Sequence, residues 1–190
     1  MGQDLPVKPV ANFRHKDILS SMTSNLAIAS LIACLMVTPA NAKSQVDFSS
    51  FGSLRIGESM NQINRRLNEH IKPPAFPEAD VTGRCFQVQS STVNGVTLMF
   101  LDKVLVRIDI HKPGIRTIDG VSVGDSESAV IAAYKNRLIS EPHAYDESGK
   151  YLTALSENKK TGVRFEILDG KVGIYYLGTS QAIQFIEGCA

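Results

Sequence analysis

Apolar residues recur at helical spacing in two stretches of the chain. They appear every fourth position from Ile63 to Ile71 and again from Val130 to Leu138, which is the pattern of a helix that buries one face. After each stretch come short runs in which apolar and polar residues alternate, separated by turn pairs such as Asn-Gly at 94–95 and Asp-Gly at 169–170. Such runs predict antiparallel strands joined by hairpins.

The two halves also match each other at a nearly constant offset. Gly57 and Ser59 recur 67 positions later at 124 and 126, and the offset stays between 66 and 68 through the strands that follow. It changes only in turns, where insertions are tolerated. We therefore predict an α+β fold of two tandem repeats, residues 43–117 and 118–190, each a helix packed on a four-stranded antiparallel sheet.

Residues 1–42 have the features of an export signal. An apolar run from Leu26 to Val37 follows a basic stretch and leads to Ala40 and Ala42, the small residues of a cleavage site. The run is too short for a bilayer, which needs roughly 20 apolar residues. We expect cleavage after Ala42 and a periplasmic or secreted protein. The segment LIAC fits the pattern before a lipid-modified cysteine, so the alternative is a lipoprotein anchored through Cys34.

Charge and cysteine content narrow the function classes. From Lys43 onward, 17 basic and 17 acidic residues balance, and without a basic patch there is no electrostatic basis for binding nucleic acid or a membrane surface. We expect no stable membrane insertion after signal removal. Cys85 and Cys189 remain in the exported part, which predicts a disulfide between them. Two buried free thiols are the alternative.

The sequence contains no recognised catalytic or metal-binding motif. It lacks a nucleophile elbow, a phosphate-binding glycine loop and the ligand spacings of metal sites. We therefore predict no enzyme activity, no catalytic residue, no metal and no cofactor. His143, Tyr145, Asp146 and Glu147 gather in one connection. A small-ligand binder or enzyme centred on His143 is the less favoured alternative.

The strands themselves predict a surface for a protein partner. One side of each sheet meets its helix, and the other carries the mixture of aromatic, Met and Arg side chains typical of binding faces. Ordinary solvation of this open face is the alternative. The predicted partner-binding residues are Gln87, Met99, Arg107, Asp109, Arg164, Glu166, Tyr175 and Leu177.

The order of elements resembles two known families. The succession of strand, G-x-S at 57–59, helix and antiparallel strands is similar to that of the small outer-membrane assembly lipoproteins of the SmpA/OmlA type. In tandem it resembles the secreted β-lactamase inhibitor proteins, which contain two such repeats. This resemblance implies a binding module, such as an inhibitor of a hydrolase or toxin, with an envelope-assembly accessory as the alternative.

The C-terminal tail carries a further resemblance. FIEGC at 185–189 is similar to the tail of uncharacterised exported bacterial proteins, which implies no activity. The predicted disulfide departs from the inhibitor family, because it would join the two repeats instead of closing each one.

Overall fold

The computed structural model describes residues 45–67, 70–74 and 84–189. The predicted signal peptide and Cys34 lie outside this range. The described residues form an α+β fold, as predicted, dominated by strands. Its elements in chain order are β1 (Ser50–Phe51), β2 (Leu54–Arg55), α1 (Met60–Leu67), β3 (Cys85–Gln89), β4 (Val96–Leu101), β5 (Val104–Ile110), α2 (Glu127–Tyr134), a 3₁₀ helix (Lys135–Arg137), β6 (Leu138–Pro142), β7 (Lys150–Leu155), β8 (Thr161–Leu168), β9 (Lys171–Thr179) and a second 3₁₀ helix (Ala182–Gln184).

Seven of these strands form one antiparallel sheet in the order β3-β4-β5-β9-β8-β7-β6. The expected pair of four-stranded sheets is therefore not seen. The two halves join where β5 pairs with β9, from Arg107 opposite Gly178 to Ile110 opposite Tyr175. This pairing is symmetric under an offset of 68 residues between the halves. Arg107 pairs with Gly178, and the positions equivalent to these two, 175 and 110, also pair with each other.

The first half contributes three strands to the sheet among the described residues. Its counterpart of β6 would begin at Ile71, whose backbone N–H and carbonyl are bound by the side chain of Asn64, at 2.8 and 2.7 Å. Position 74 is equivalent to Glu141 of β6, which pairs with Tyr151 of β7. A corresponding strand in the first half would therefore need a backbone N–H at position 74. Pro74 has no N–H to donate.

Both helices contribute side chains to one core on the same side of the sheet. Ile63 of α1 and Val130 of α2 are fully buried there, and Tyr134 packs against Phe165 with ring centroids 5.3 Å apart. Ser126 caps α2 by accepting from the N–H of Ala129.

Two β-bulges change which side chains face this core. The extra residue is Val106 in β5 and Gly173 in β9. A bulge shifts the alternation of the residues beyond it, so Tyr175 and Leu177 join Val172 in the helix-side core, both with 0% exposure. The prediction that Tyr175 and Leu177 belong to an open binding face is wrong, because it assumed uninterrupted alternation along β9.

Candidate binding face beneath the C-terminal strap

The sheet face opposite the helices is covered in part by the end of the chain. Residues 181–189, here the C-terminal strap, run across this face, and the 3₁₀ helix Ala182–Gln184 packs against β5, β8 and β9. Ala182 shares a small apolar cluster with Met99 and Val106, and Phe185 packs on it. The predicted partner-binding residue Met99 is therefore fully buried.

Two glycines opposite each other in the sheet make room for close packing on this face. Gly162 and Gly178 are cross-strand neighbours in β8 and β9. A Cβ at position 162 would lie 2.8 Å from Cδ1 of Ile183 in the strap, and one at position 178 would lie 2.5 Å from the carbonyl oxygen of Val106. Glycine inside a strand often marks such a close approach.

Arg107 and Asp109 lie under the strap and bind each other and the strap backbone. Arg107 donates from Nε and Nη2 to the two carboxylate oxygens of Asp109, at 2.7 and 2.9 Å. Its Nη1 donates to the carbonyl oxygens of Phe185 and Ala182, at 2.7 and 3.2 Å. Both charged side chains are nearly fully buried. The prediction that they face a partner is wrong, because the chain's own C-terminus uses their hydrogen-bonding groups.

Arg164 is occupied in the same way on the other side of the strap. Its Nη1 donates to Oε2 of Glu141 at 2.6 Å and also contacts the side chains of Thr153 and Gln184. Its guanidinium carbon lies 4.1 Å from the ring centre of Tyr151. Arg164 is 4% exposed, so this predicted contact residue is also unavailable to a partner.

Tyr176 is buried beside Arg107, away from water. Its ring lies 4.6 Å from the guanidinium carbon of Arg107. Burial raises the pKa of Tyr176 to about 12, although the positive charges of Arg164 and Arg107 act to lower it. Desolvation therefore outweighs two nearby cations.

His143 organises the loop between β6 and β7. Its Nδ1 accepts the backbone N–H groups of Tyr145 and Asp146, at 3.1 and 3.0 Å. Nε2 therefore carries the hydrogen and donates to Oε1 of Glu166 at 3.0 Å. The ring stacks on Tyr151 with centroids 4.7 Å apart. Through these contacts His143 connects the backbone of the β6–β7 loop to Glu166 of β8 and Tyr151 of β7.

Each of the last three residues of the strap, Glu187, Gly188 and Cys189, contacts another part of the chain. Glu187 accepts a hydrogen bond from the phenol of Tyr145. Gly188 has a φ of +70° and lies against the side chain of Gln87. Cys189 forms the predicted disulfide with Cys85, with Cα atoms 5.4 Å apart.

The structure leaves a different set of side chains exposed from the one predicted. Of the predicted contact residues, Gln87 and Glu166 keep partial exposure. Among the large apolar side chains that are exposed, two lie on the strap and on the β6–β7 loop that it contacts: Tyr145 at 70% and Ile186 at 48% exposure. The strand pattern did not single out either of them, although Tyr145 belongs to the group around His143 that the sequence brings into one connection.

The described residues contain no group of three or more His, Cys, Asp or Glu side chains arranged to hold a metal ion. Within residues 45–67, 70–74 and 84–189, no helix has the length and hydrophobicity required to cross a membrane.

Comparisons with known proteins add little. No family model and no curated protein matches the chain. Among solved structures, the chain is similar to the 1.5 Å crystal structure of an extracellular protein containing an SCP domain from Bacillus anthracis str. Ames, with 10% identity and a TM-score of 0.39. The match covers 66% of this chain and 44% of that one.

Proposed function

We propose that this chain is an exported, non-catalytic module that binds a protein partner, such as a hydrolase or toxin that it inhibits. The observation that carries this proposal is the pair of exposed side chains Tyr145 and Ile186, 70% and 48% exposed. They lie on two segments joined by the hydrogen bond from Tyr145 to Glu187. We call these two side chains the Tyr145–Ile186 patch.

The patch has the properties of a pre-organised contact surface. Tyrosine is enriched among the residues that dominate binding energy. The loop that carries Tyr145 is held by His143, and the strap that carries Ile186 is anchored by Cys189. A surface that is rigid before binding loses less conformational entropy when a partner docks.

Two features support export and a duplicated origin for this module. A disulfide forms and persists in oxidising compartments, which agrees with a signal at residues 1–42 and a periplasmic or secreted location. The β5–β9 pairing is symmetric under the 68-residue offset, which agrees with two repeats fused edge to edge. In this proposal the second repeat keeps four strands and the first lost its outer strand to Pro74.

The test is affinity capture from envelope and secreted extracts with the full chain, followed by a dissociation constant for the protein retained at near-equal stoichiometry. Tyr145→Ala and Ile186→Ala should each raise that constant about tenfold or more. Ile131→Ala is the matched control, since Ile131 is 47% exposed on α2, and it should bind like the parent. Normal binding by the Tyr145→Ala/Ile186→Ala variant would refute the patch. Capture of outer-membrane barrels or their assembly machinery would favour the envelope-accessory alternative.

A further inference from the structure

One edge of the seven-stranded sheet is open along β6. Within the described part of the chain, β6 pairs only with β7. The N–H of His143 donates to the carbonyl of Gly149, and the N–H of Ser156 donates to the carbonyl of Thr161. These two bonds show which residues of β6 and β7 direct their backbone groups at the neighbouring strand and which direct them away from it. Glu141 and Ile139 therefore direct their backbone groups at β7, and the N–H and carbonyl groups of Leu138 and Ser140 point outward.

We propose that this edge pairs with β6 of a second copy of the chain, antiparallel and about a two-fold axis through Ile139. In this register, Leu138 of each copy exchanges two backbone hydrogen bonds with Ser140 of the other. Ile139, which is 51% exposed, lies beside its own symmetry mate. The dimer thus joins two seven-stranded sheets edge to edge, and it goes beyond the binding function proposed above.

Charge selects this register over its neighbours. The Ile139 axis places Arg137 opposite Glu141 of the second copy, twice by symmetry, so no like charges meet there, while Arg137 keeps its ion pair with Asp119 and Glu141 its ion pair with Arg164. An axis through Glu141 would set two glutamates directly opposite each other, which is destabilising. An axis through Ser140 would place Ile139 beside a glutamate and would require an outward N–H from Pro142, which has none.

The surroundings of Ile139 also fit burial in a dimer. A groove of about 740 Å³ lies beside this end of β6, and its apolar walls are Phe48, Ile139 and Leu155. Arg137 lines the same groove, and its ion pair with Asp119 leaves it 49% exposed. Pairing across the axis would cover this apolar surface with the same surface of the second copy.

The test is sedimentation analysis of the full chain over a range of concentrations. The parent protein should sediment as a dimer. Ile139→Glu should raise the dimer dissociation constant about 100-fold or more, because it sets like charges together at the axis. Ile131→Glu makes the same change at a side chain of similar exposure, 47% against 51%, and should remain dimeric.

A second variant tests the backbone pairing itself. Ser140→Pro removes only an outward N–H, so the ladder with β7 and the circular dichroism spectrum should be preserved while the protein becomes monomeric. A parent protein that is monomeric at every concentration up to its solubility limit would overturn the proposal. So would an Ile139→Glu or Ser140→Pro variant that dimerises as tightly as the parent.

Discussion

Arg107 and Asp109 form a two-point ion pair whose charged atoms are almost completely removed from water, with side-chain exposures of 5% and 4%. The same guanidinium holds the backbone of the C-terminal strap through Ala182 and Phe185. A buried pair of this kind contributes little net stability compared with apolar residues, but the loss of one partner leaves an uncompensated charge. The pair therefore positions the strap, and we expect substitution of either residue to destabilise the fold.

We predict that Asp109→Asn lowers the free energy of unfolding by about 3–5 kcal/mol, because Arg107 then remains buried without its counter-charge. Asp102→Asn is the matched control. Asp102 pairs with Arg84 at the surface, where the two side chains are 52% and 64% exposed, and its loss should leave the free energy of unfolding nearly unchanged because water screens the pair. Urea unfolding at pH 7 measures both variants. Equal losses of unfolding free energy in the two variants would show that burial of the Arg107–Asp109 pair does not increase the cost of breaking it.

Local signals were enough for several elements of the fold. The two helices, the hairpin turns and the Cys85–Cys189 pairing follow from short-range patterns or from simple counting, and the structure confirms them. Asn-Gly and Asp-Gly turns also fixed the order in which neighbouring strands pair. The α+β class follows from these local features alone.

The binding face could not be predicted in the same way. One extra residue in β9, Gly173, reverses the facing of Tyr175 and Leu177, and a bulge of this kind leaves no periodic signal. The strap depends on contacts such as Arg107 to Phe185, 78 residues apart. Alternation predicted a face with arginines on it, but it could not predict that the C-terminal strap would cover it.

Loss of the disulfide should weaken the attachment of the strap and the fold together. The two cysteines are 104 residues apart, and opening a loop of that size should cost about 4–5 kcal/mol in the chain-entropy account. We predict this loss for the Cys85→Ser/Cys189→Ser variant in urea unfolding. The parent protein should show the same loss when a dithiol reductant is added, while the double variant should not respond to reductant. A double variant as stable as the oxidised parent would contradict the prediction.

Asp47 should make the fold sensitive to acid. Its Oδ1 accepts the N–H groups of Ser49 and Ser50, each at 2.6 Å. Burial acts to raise the pKa of Asp47, but the hydrogen bonds from Ser50 and Ser49 outweigh it, so the pKa lies below its ordinary value. A carboxyl with a lowered pKa stabilises the fold above its unfolded pKa of about 3.9, and this contribution disappears as the pH falls through the folded value.

We therefore predict that Asp47→Ala costs about 1–3 kcal/mol at pH 7, since two backbone N–H groups lose their acceptor. The difference between variant and parent should narrow as the pH falls below about 4. Urea unfolding from pH 7 to pH 3 measures both effects. A difference that stays constant over this range would mean that the ionised carboxylate of Asp47 contributes nothing.

Gly188 is predicted to be the most constrained position of the EGC tail, for two reasons that can be measured separately. Its φ of +70° disfavours any residue with a side chain, and a Cβ there would lie 2.0 Å from Oε1 of Gln87. Gly170→Ala isolates the first cost, because Gly170 has the same φ of +70° with nothing within 4 Å of a Cβ. That variant should lose about 1–2 kcal/mol in urea unfolding.

Gly188→Ala should lose more than Gly170→Ala, and the excess should be small because Gln87 can swing away. Moving it costs its 3.4 Å contact with Asp109, so the excess should disappear when Gly188→Ala is compared with its parent in a Gln87→Ala background. A Gly188→Ala loss equal to that of Gly170→Ala in both backgrounds would show that the strap does not press on β3. The tail would then be held by Cys189 and Arg107 without any steric fit at Gly188.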